Sequence, residues 1–286
     1  MKYLHKKEFT RETMEELCDC VSPCFRLELL QDSYDKRIAE NQMLQEYIEK
    51  GFEMPGGTLK LGIDWVGYNK EDVLLKETGV FFPGKGIIKA VGEGHAYQNA
   101  IGPCIGVFSH LYDPKLDTYA MIIRGVKGSV KGTTQEAARQ IQIPAGFGEY
   151  GILPAETARH EIAEEIYGAK TSEEIKKCLE EKKISLVLPK GIVLDATPFM
   201  KGAIPQLLLS YIITGDLSEL NQNTIRDIKD LEEFEQISSV QVEAQPFLVK
   251  QKNLGDLVKS LQTQNRFFGP VAQTISSFSN WYAQNH

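Results

Sequence analysis

The sequence predicts an α/β protein, and three observations carry that prediction. From Ala100 onward two apolar runs, IGPCIGVFSHLYD and TYAMIIRGVKG, flank Pro114-Lys115-Leu116-Asp117 and read as a β-hairpin. Between Ile143 and Gly168 a glycine-rich loop feeds a short acidic helix. Further on, ISLVL, GIVLDA and QLLLSYIITG read as strands, the last a continuous apolar run suited to a buried position.

In chain order, residues 7 to 20 and about 32 to 50 are helix-like, with Leu44, Tyr47 and Ile48 at helical spacing and Gly51 as the stop. Met54-Pro55-Gly56-Gly57 is a turn, and from Thr58 to Phe82 short apolar pieces suggest strands or irregular structure. Pro83-Gly84-Lys85-Gly86 and Gly92-Glu93-Gly94-His95 do not match the phosphate-loop pattern G-x4-G-K-[ST], so they are read as turns. Residues 1–95 form an extension that covers an active site, binds substrate or makes an oligomer interface, and residues 96–286 form the second domain.

Within the second domain His110 lies on a strand-like stretch and is read as structural. Residues 125–140 make a polar excursion before strand-like Ile141 to Ile143. Thr171-Ser172-Glu173-Glu174 caps a helix running to about Lys182. After it come an acid-rich segment at 218–236, a short strand SSVQVEA, and helices near 253–263 and 268–284 whose Phe267, Phe268, Phe278, Trp281 and Tyr282 are read as core.

The totals narrow the function. A hydrophobic share of 42% and a charged share of 25% describe an ordinary globular protein. The net charge of −7 argues against a general nucleic-acid surface, although a bound cation can still admit a nucleotide. No apolar run reaches the roughly 20 residues of a membrane helix and MKYLHKKEFTRE has no apolar signal core, so the expectation is a soluble, cytoplasmic chain without a membrane partner. Five cysteines without regular spacing read as reduced thiols; Cys18, Cys20 and Cys24 cluster, but C-x-C-x3-C lacks the separated second pair of a zinc site.

The chemistry concentrates in IPAGFGEYGILPAETARHEIAEEIYG. Glu161, Glu164 and Glu165 stand at i, i+3 and i+4, so one helical face carries three carboxylates. Crowded like charge on a helix costs a few tenths of a kcal/mol per pair, and a hard divalent cation, which prefers oxygen ligands, would offset it. Gly146, Gly148 and Gly151 allow positive φ and close approach of the main chain to a ligand or metal. Other acidic pairs, such as Glu15-Glu16 and Glu173-Glu174, lack this setting and read as solvated faces.

Pro144-Ala145-Gly146, Glu149, Gly151 and Glu161-x-x-Glu164-Glu165 resemble the Nudix box, in the form with a Pro-Ala-Gly entry seen in ADP-ribose pyrophosphatases. Laid from Gly146, the signature G-x5-E-x7-R-E-U-x-E-E-x-G-U puts Ile152 at its first glutamate and His160 at its arginine, and leaves one extra residue before Gly168. In the family the lost glutamate and arginine brace loop against helix, so their joint loss suggests a rebuilt brace. Arg159 is one place off and points about 100° away, so it is not given that role; His160 is a candidate for it.

The resemblance implies an α/β/α sandwich with a mixed sheet, carrying the N-terminal extension and C-terminal helices. Opening strands of the family often end in a basic residue, here Arg124. It also implies a Mg²⁺- or Mn²⁺-dependent hydrolase that cleaves the diphosphate of a nucleoside diphosphate linked to another moiety, with ADP-ribose favoured. Glu161, Glu164 and Glu165 would be catalytic and hold the metal with the Ala145 carbonyl; Gly146, Gly148, Glu149 and Gly151 would form the substrate loop. The base is expected among Glu219, Asp227, Glu232, Glu233 and Glu235. A homodimer stays open, and so does a nucleotide-binding or protein-interaction module that has lost catalysis.

Overall fold

Apolar alternation and turn residues set the strands. The computed structural model describes residues 1–30, 60–80, 103–123, 140–149, 152–201, 204–220 and 245–286 of the chain. Its strands run Lys2–His5 (β1), Phe25–Leu30 (β2), Lys60–Tyr68 (β3), Asp72–Val80 (β4), Cys104–Asp113 (β5), Thr118–Ile123 (β6) and Ile141–Gln142 (β7). They continue as Ala145–Phe147 (β8), Ser185–Leu186 (β9), Ile192–Val193 (β10), Asp195–Lys201 (β11), Ile204–Thr214 (β12) and Gln245–Lys250 (β13). The helices are Arg11–Cys20 (α1), Pro154–Glu165 (α2), Ser172–Glu181 (α3), Gln251–Thr263 (α4) and Val271–Asn285 (α5). The fold is α/β with a mixed sheet, as expected, because β2 and β4 pair in parallel while the other registered pairs are antiparallel.

The chain divides into two units that interleave along the sequence: Met1–Val107, Gly146–Thr157 and Lys190–Leu209 form one, and Phe108–Ala145, Ala158–Pro189 and Ser210–His286 the other. No described helix is long and apolar enough to cross a membrane.

In the first unit β10, β2, β4 and β3 are neighbours in that order, with β1 added along β3. Leu61, Ile63, Val66, Val73 and Leu75 are buried at 2% exposure or less, which makes this antiparallel pair the centre of its core. Helical periodicity starts at residue 7, yet α1 begins only at Arg11. Thr10 caps it by accepting the Thr13 N–H, and Lys6–Glu8 folds separately as a 3₁₀ turn. GIVLDA, expected as one strand, is broken at Leu194, whose carbonyl accepts the Cys24 N–H at 2.9 Å.

The second unit is organised on β6, which pairs with β5, β7 and β13. Every residue of β5 and β6 is buried, as their near-continuous apolar sequence requires. Leu254, Leu257, Val258 and Leu261 give α4 one buried stripe, and Val271, Thr274, Ile275, Phe278 and Trp281 do the same for α5. Phe267, Phe278 and Trp281 are buried core, as expected; Phe268 and Tyr282, expected with them, are only half-buried.

His110 is fully buried on β5 and structural in role. Its ring donates or accepts at Tyr119 Oη (2.7 Å) and Thr274 Oγ1 (2.9 Å), stacks on Phe278, and is held down to about pKa 3 by burial. Ser210 completes the network at 2.6 Å from Thr274. The expected elements at 32–50, 54–57, 83–95 and 125–139, Arg124, most of the acid-rich segment and SSVQVEA lie outside the described residues.

Candidate active site

Helix α2 carries the three glutamates. Pro154 opens it, where a missing N–H is harmless, and Gly168 at φ +74° closes the turn after it. The Gly168 N–H reaches the Glu164 carbonyl at 3.1 Å and the Ala169 N–H reaches Ala163 at 3.0 Å. The extra residue before Gly168 brings in Tyr167, whose hydroxyl donates to the Asp216 carbonyl at 2.9 Å and whose burial pushes its pKa up.

On the inner side of α2 Ala155, Ala158, Ile162, Ala163 and Ile166 are buried, and the small side chains let the helix lie close on its neighbours. Glu161 and Glu165 border this buried face and are half-buried, and Glu164 is exposed. Glu165 Oε2 accepts the N–H of Ala145 at 3.0 Å, joining the helix to the entry of the Pro-Ala-Gly segment.

The glycines act differently from expectation. Residues 145–147 form strand β8 and are not an open loop. Among the described residues, the glycines with positive φ are Gly168 and Gly269; Gly146 and Gly148 are not among them. At Gly148 close packing is the reason instead: a Cβ there would meet Leu61 at 3.2 Å and Ile105 at 3.4 Å; the Gly146 carbonyl in turn lies 3.3 Å from where a Gly106 Cβ would stand. The Gly148 N–H donates to Ile105 and its carbonyl accepts from Leu61, at 2.9 and 2.7 Å. Gly151 lies outside the described residues.

Glu149 is half-buried and its N–H donates to Thr157 Oγ1 at 3.4 Å. Glu156, in the first turn of α2, pairs with Lys190 at 2.7 Å. Arg159, one place from the family's arginine, sends Nε and an Nη to the Ile184 carbonyl at 3.1 and 2.9 Å, so its role is anchoring the segment after α3. His160 is half-buried. Of the five candidate bases, Glu219 is paired with Lys182, and Asp227, Glu232, Glu233 and Glu235 lie outside the described residues.

A hard divalent cation fits this donor set in chemistry, since Glu161, Glu164, Glu165 and the Ala145 carbonyl are all oxygen donors. The side chains themselves are not gathered: among the described residues no group of three or more His, Cys, Asp or Glu forms a metal cluster. The expected triad therefore shares a helix without converging on one point in this conformation. All five cysteines are free thiols, and burial raises the pKa of Cys18 and Cys24.

Sequence reasoning missed Ser109, Thr157 and Lys190. Thr157 and Ser109 are polar residues in buried positions, 1% and 0% exposed; for Ser109 the signal was its place in a mainly apolar strand, and Thr157 among charged neighbours gave none.

No protein-family model and no curated protein matches the sequence. Solved structures similar to it include a NUDIX hydrolase from Nitrosomonas europaea, 13% identical, with a TM-score of 0.35, over 62% of this chain and 88% of that one. A likeness of that size fixes neither the chemistry nor the substrate.

Proposed function

We propose that the chain is a cation-dependent diphosphate hydrolase of the Nudix type, acting on a nucleoside diphosphate linked to a second moiety, with ADP-ribose as the favoured substrate. The observation that carries this reading is the Glu161-x-x-Glu164-Glu165 face of α2 together with the Glu165 clasp on Ala145, the residue of the Pro-Ala-Gly entry. The same proposal takes residues 96–286 as the hydrolase domain and 1–95 as its extension, in a cytoplasmic protein able to form a homodimer.

Glu161, Glu164, Glu165 and the Ala145 carbonyl would hold Mg²⁺ or Mn²⁺. When bound, such a cation lowers the pKa of a coordinated water and offsets charge on the diphosphate oxygens. The chain's own part is placement: Glu165 fixes the Ala145 peptide, and bonds to Ile105 and Leu61 hold the main chain of Gly148 at the end of the same strand. Glu149 is a supporting polar group at the end of that strand. Glu219 is committed to Lys182, which favours a base from the acid-rich segment beyond it.

Glu164→Gln tests the reading, because it keeps the shape and removes one charge. Loss of a ligand's charge exceeds the ~10–100-fold that even outer partners of metal sites cost, so turnover of ADP-ribose falls at least 100-fold. Unchanged turnover sinks the hydrolase. A second reading, a Nudix-fold binding module without catalysis, is favoured by the ungathered carboxylates and by Ile152 and His160 at the box positions. It predicts nucleotide binding with no turnover in the parent.

A further inference from the structure

The brace that the box lacks at Ile152 and His160 has a replacement centred on Ser109. This serine is 0% exposed on β5, inside the apolar run CIGVFSHLYD, where a hydroxyl without a partner would cost about 1–3 kcal/mol. It is fully used. Its N–H donates to the Pro144 carbonyl at 2.9 Å, and its Oγ donates to the Ala158 carbonyl at 2.7 Å. A helical carbonyl has a second lone pair for such a bond, and the alanine side chain leaves the space for it.

The third link is the Ala145 N–H on Glu165 Oε2 at 3.0 Å. Ala158, Ile162 and Glu165 stand at i, i+4 and i+7 and so share a face of α2. The three bonds therefore close a ring, from strand to the Pro-Ala-Gly entry, from that entry to the helix, and from the helix back to the strand. No member can slide without breaking a bond. Displacements of about 1 Å are enough to cost ~100-fold in a catalytic site, so a ring of this kind is what a site without the usual brace needs.

We propose that Ser109 is a positioning residue for the cation site: it sets the spacing between Pro144-Ala145 and the Ala158 turn of α2, and so the spacing between the Ala145 carbonyl and Glu165. The proposal rests on the hydrolase reading for the identity of the site. It touches neither cation nor substrate.

Mn²⁺ titration of the purified full chain, followed by electron paramagnetic resonance, tests it without relying on turnover. Ser109→Ala should bind Mn²⁺ about 10-fold more weakly or worse, the scale expected when a residue orienting a ligand is removed. Ser109→Cys, with a weaker donor of similar size, should fall between. Ser210→Ala is the control, since it also removes a buried hydroxyl, the one 2.6 Å from Thr274; it should lower the unfolding midpoint while binding Mn²⁺ like the parent. In turnover assays the Mn²⁺ activation constant should rise in Ser109→Ala with kcat at saturating Mn²⁺ largely kept. If Ser109→Ala binds Mn²⁺ as tightly as the parent, the positioning role is overturned and the hydrolase reading stands. Should that variant fail to fold, parent-like binding by Ser109→Cys overturns the role equally. A parent that binds no Mn²⁺ removes the hydrolase reading, and this inference with it.

Discussion

On the proposed hydrolase reading, replacing Glu165 separates holding the structure from holding a cation. Its carboxylate accepts the Ala145 N–H at 3.0 Å in a partly buried setting. A hydrogen bond to a charged group contributes about 1.5–3 kcal/mol, so Glu165→Ala, which deletes the acceptor where water only partly replaces it, should cost about 2 kcal/mol. Glu165→Gln keeps an oxygen at the same reach but loses the charge, which roughly halves such a bond, so it should cost about 1 kcal/mol. Urea unfolding of the three proteins should rank parent above Gln above Ala, by midpoint and with one common slope. Cation-dependent turnover should behave otherwise and be lost in both variants, because both lack the charge. An alanine variant as stable as the parent refutes the clasp; a glutamine variant with full turnover refutes the ligand role.

Two further outcomes test the packing around the site. His110 is held down to about pKa 3 from its ordinary 6.5 by burial, so the native state refuses a proton that the unfolded chain takes up. Its contribution to stability is complete above pH 6.5 and is lost as pH falls toward 3, with a slope approaching 1.4 kcal/mol per pH unit; the difference between parent and His110→Asn urea stabilities from pH 7 to 4 should show that slope, and a pH-independent difference would contradict it. In Gly106→Ala the new Cβ would stand 2.4 Å from Leu208 Cδ2 and 3.3 Å from the Gly146 carbonyl. The leucine tip can swing aside but the main chain cannot, so a loss of about 1–3 kcal/mol is expected, and an unchanged unfolding midpoint would show that the close approach is not tight.

Much of the fold was legible where composition and period agree. The runs that became β5, β6 and β12 are apolar almost without interruption, and α4 and α5 carry clear helical stripes. Strand β13 was missed because Pro246 weakens a strand reading; it pairs with β6 opposite Ile122, and a strand can carry a proline on the side where no ladder bond is needed. The extent of α1 depended on Thr10 as a cap, a local bond that periodicity does not see.

The candidate site was legible as chemistry more than as geometry. The spacing of Glu161, Glu164 and Glu165 follows from the helical repeat alone. The purpose of Gly148 did not, because a glycine that allows positive φ and one that admits a neighbouring strand look the same in sequence. Ser109 and Glu165 meet Pro144, Ala145 and Ala158 only after the chain folds back, and bonds from side chain to main chain between residues 20 to 49 places apart leave no periodic trace.

The most direct test of the account is turnover by the purified protein against a diphosphate panel of ADP-ribose, dinucleotides of the NAD type, nucleoside sugars and nucleoside triphosphates, each with Mg²⁺, Mn²⁺ or EDTA. The account predicts cation-dependent cleavage of the phosphoanhydride in a nucleoside diphosphate linked to a second group, ADP-ribose foremost, abolished by EDTA. Silence across the panel with nucleotide binding retained would contradict it and make the chain a binding module.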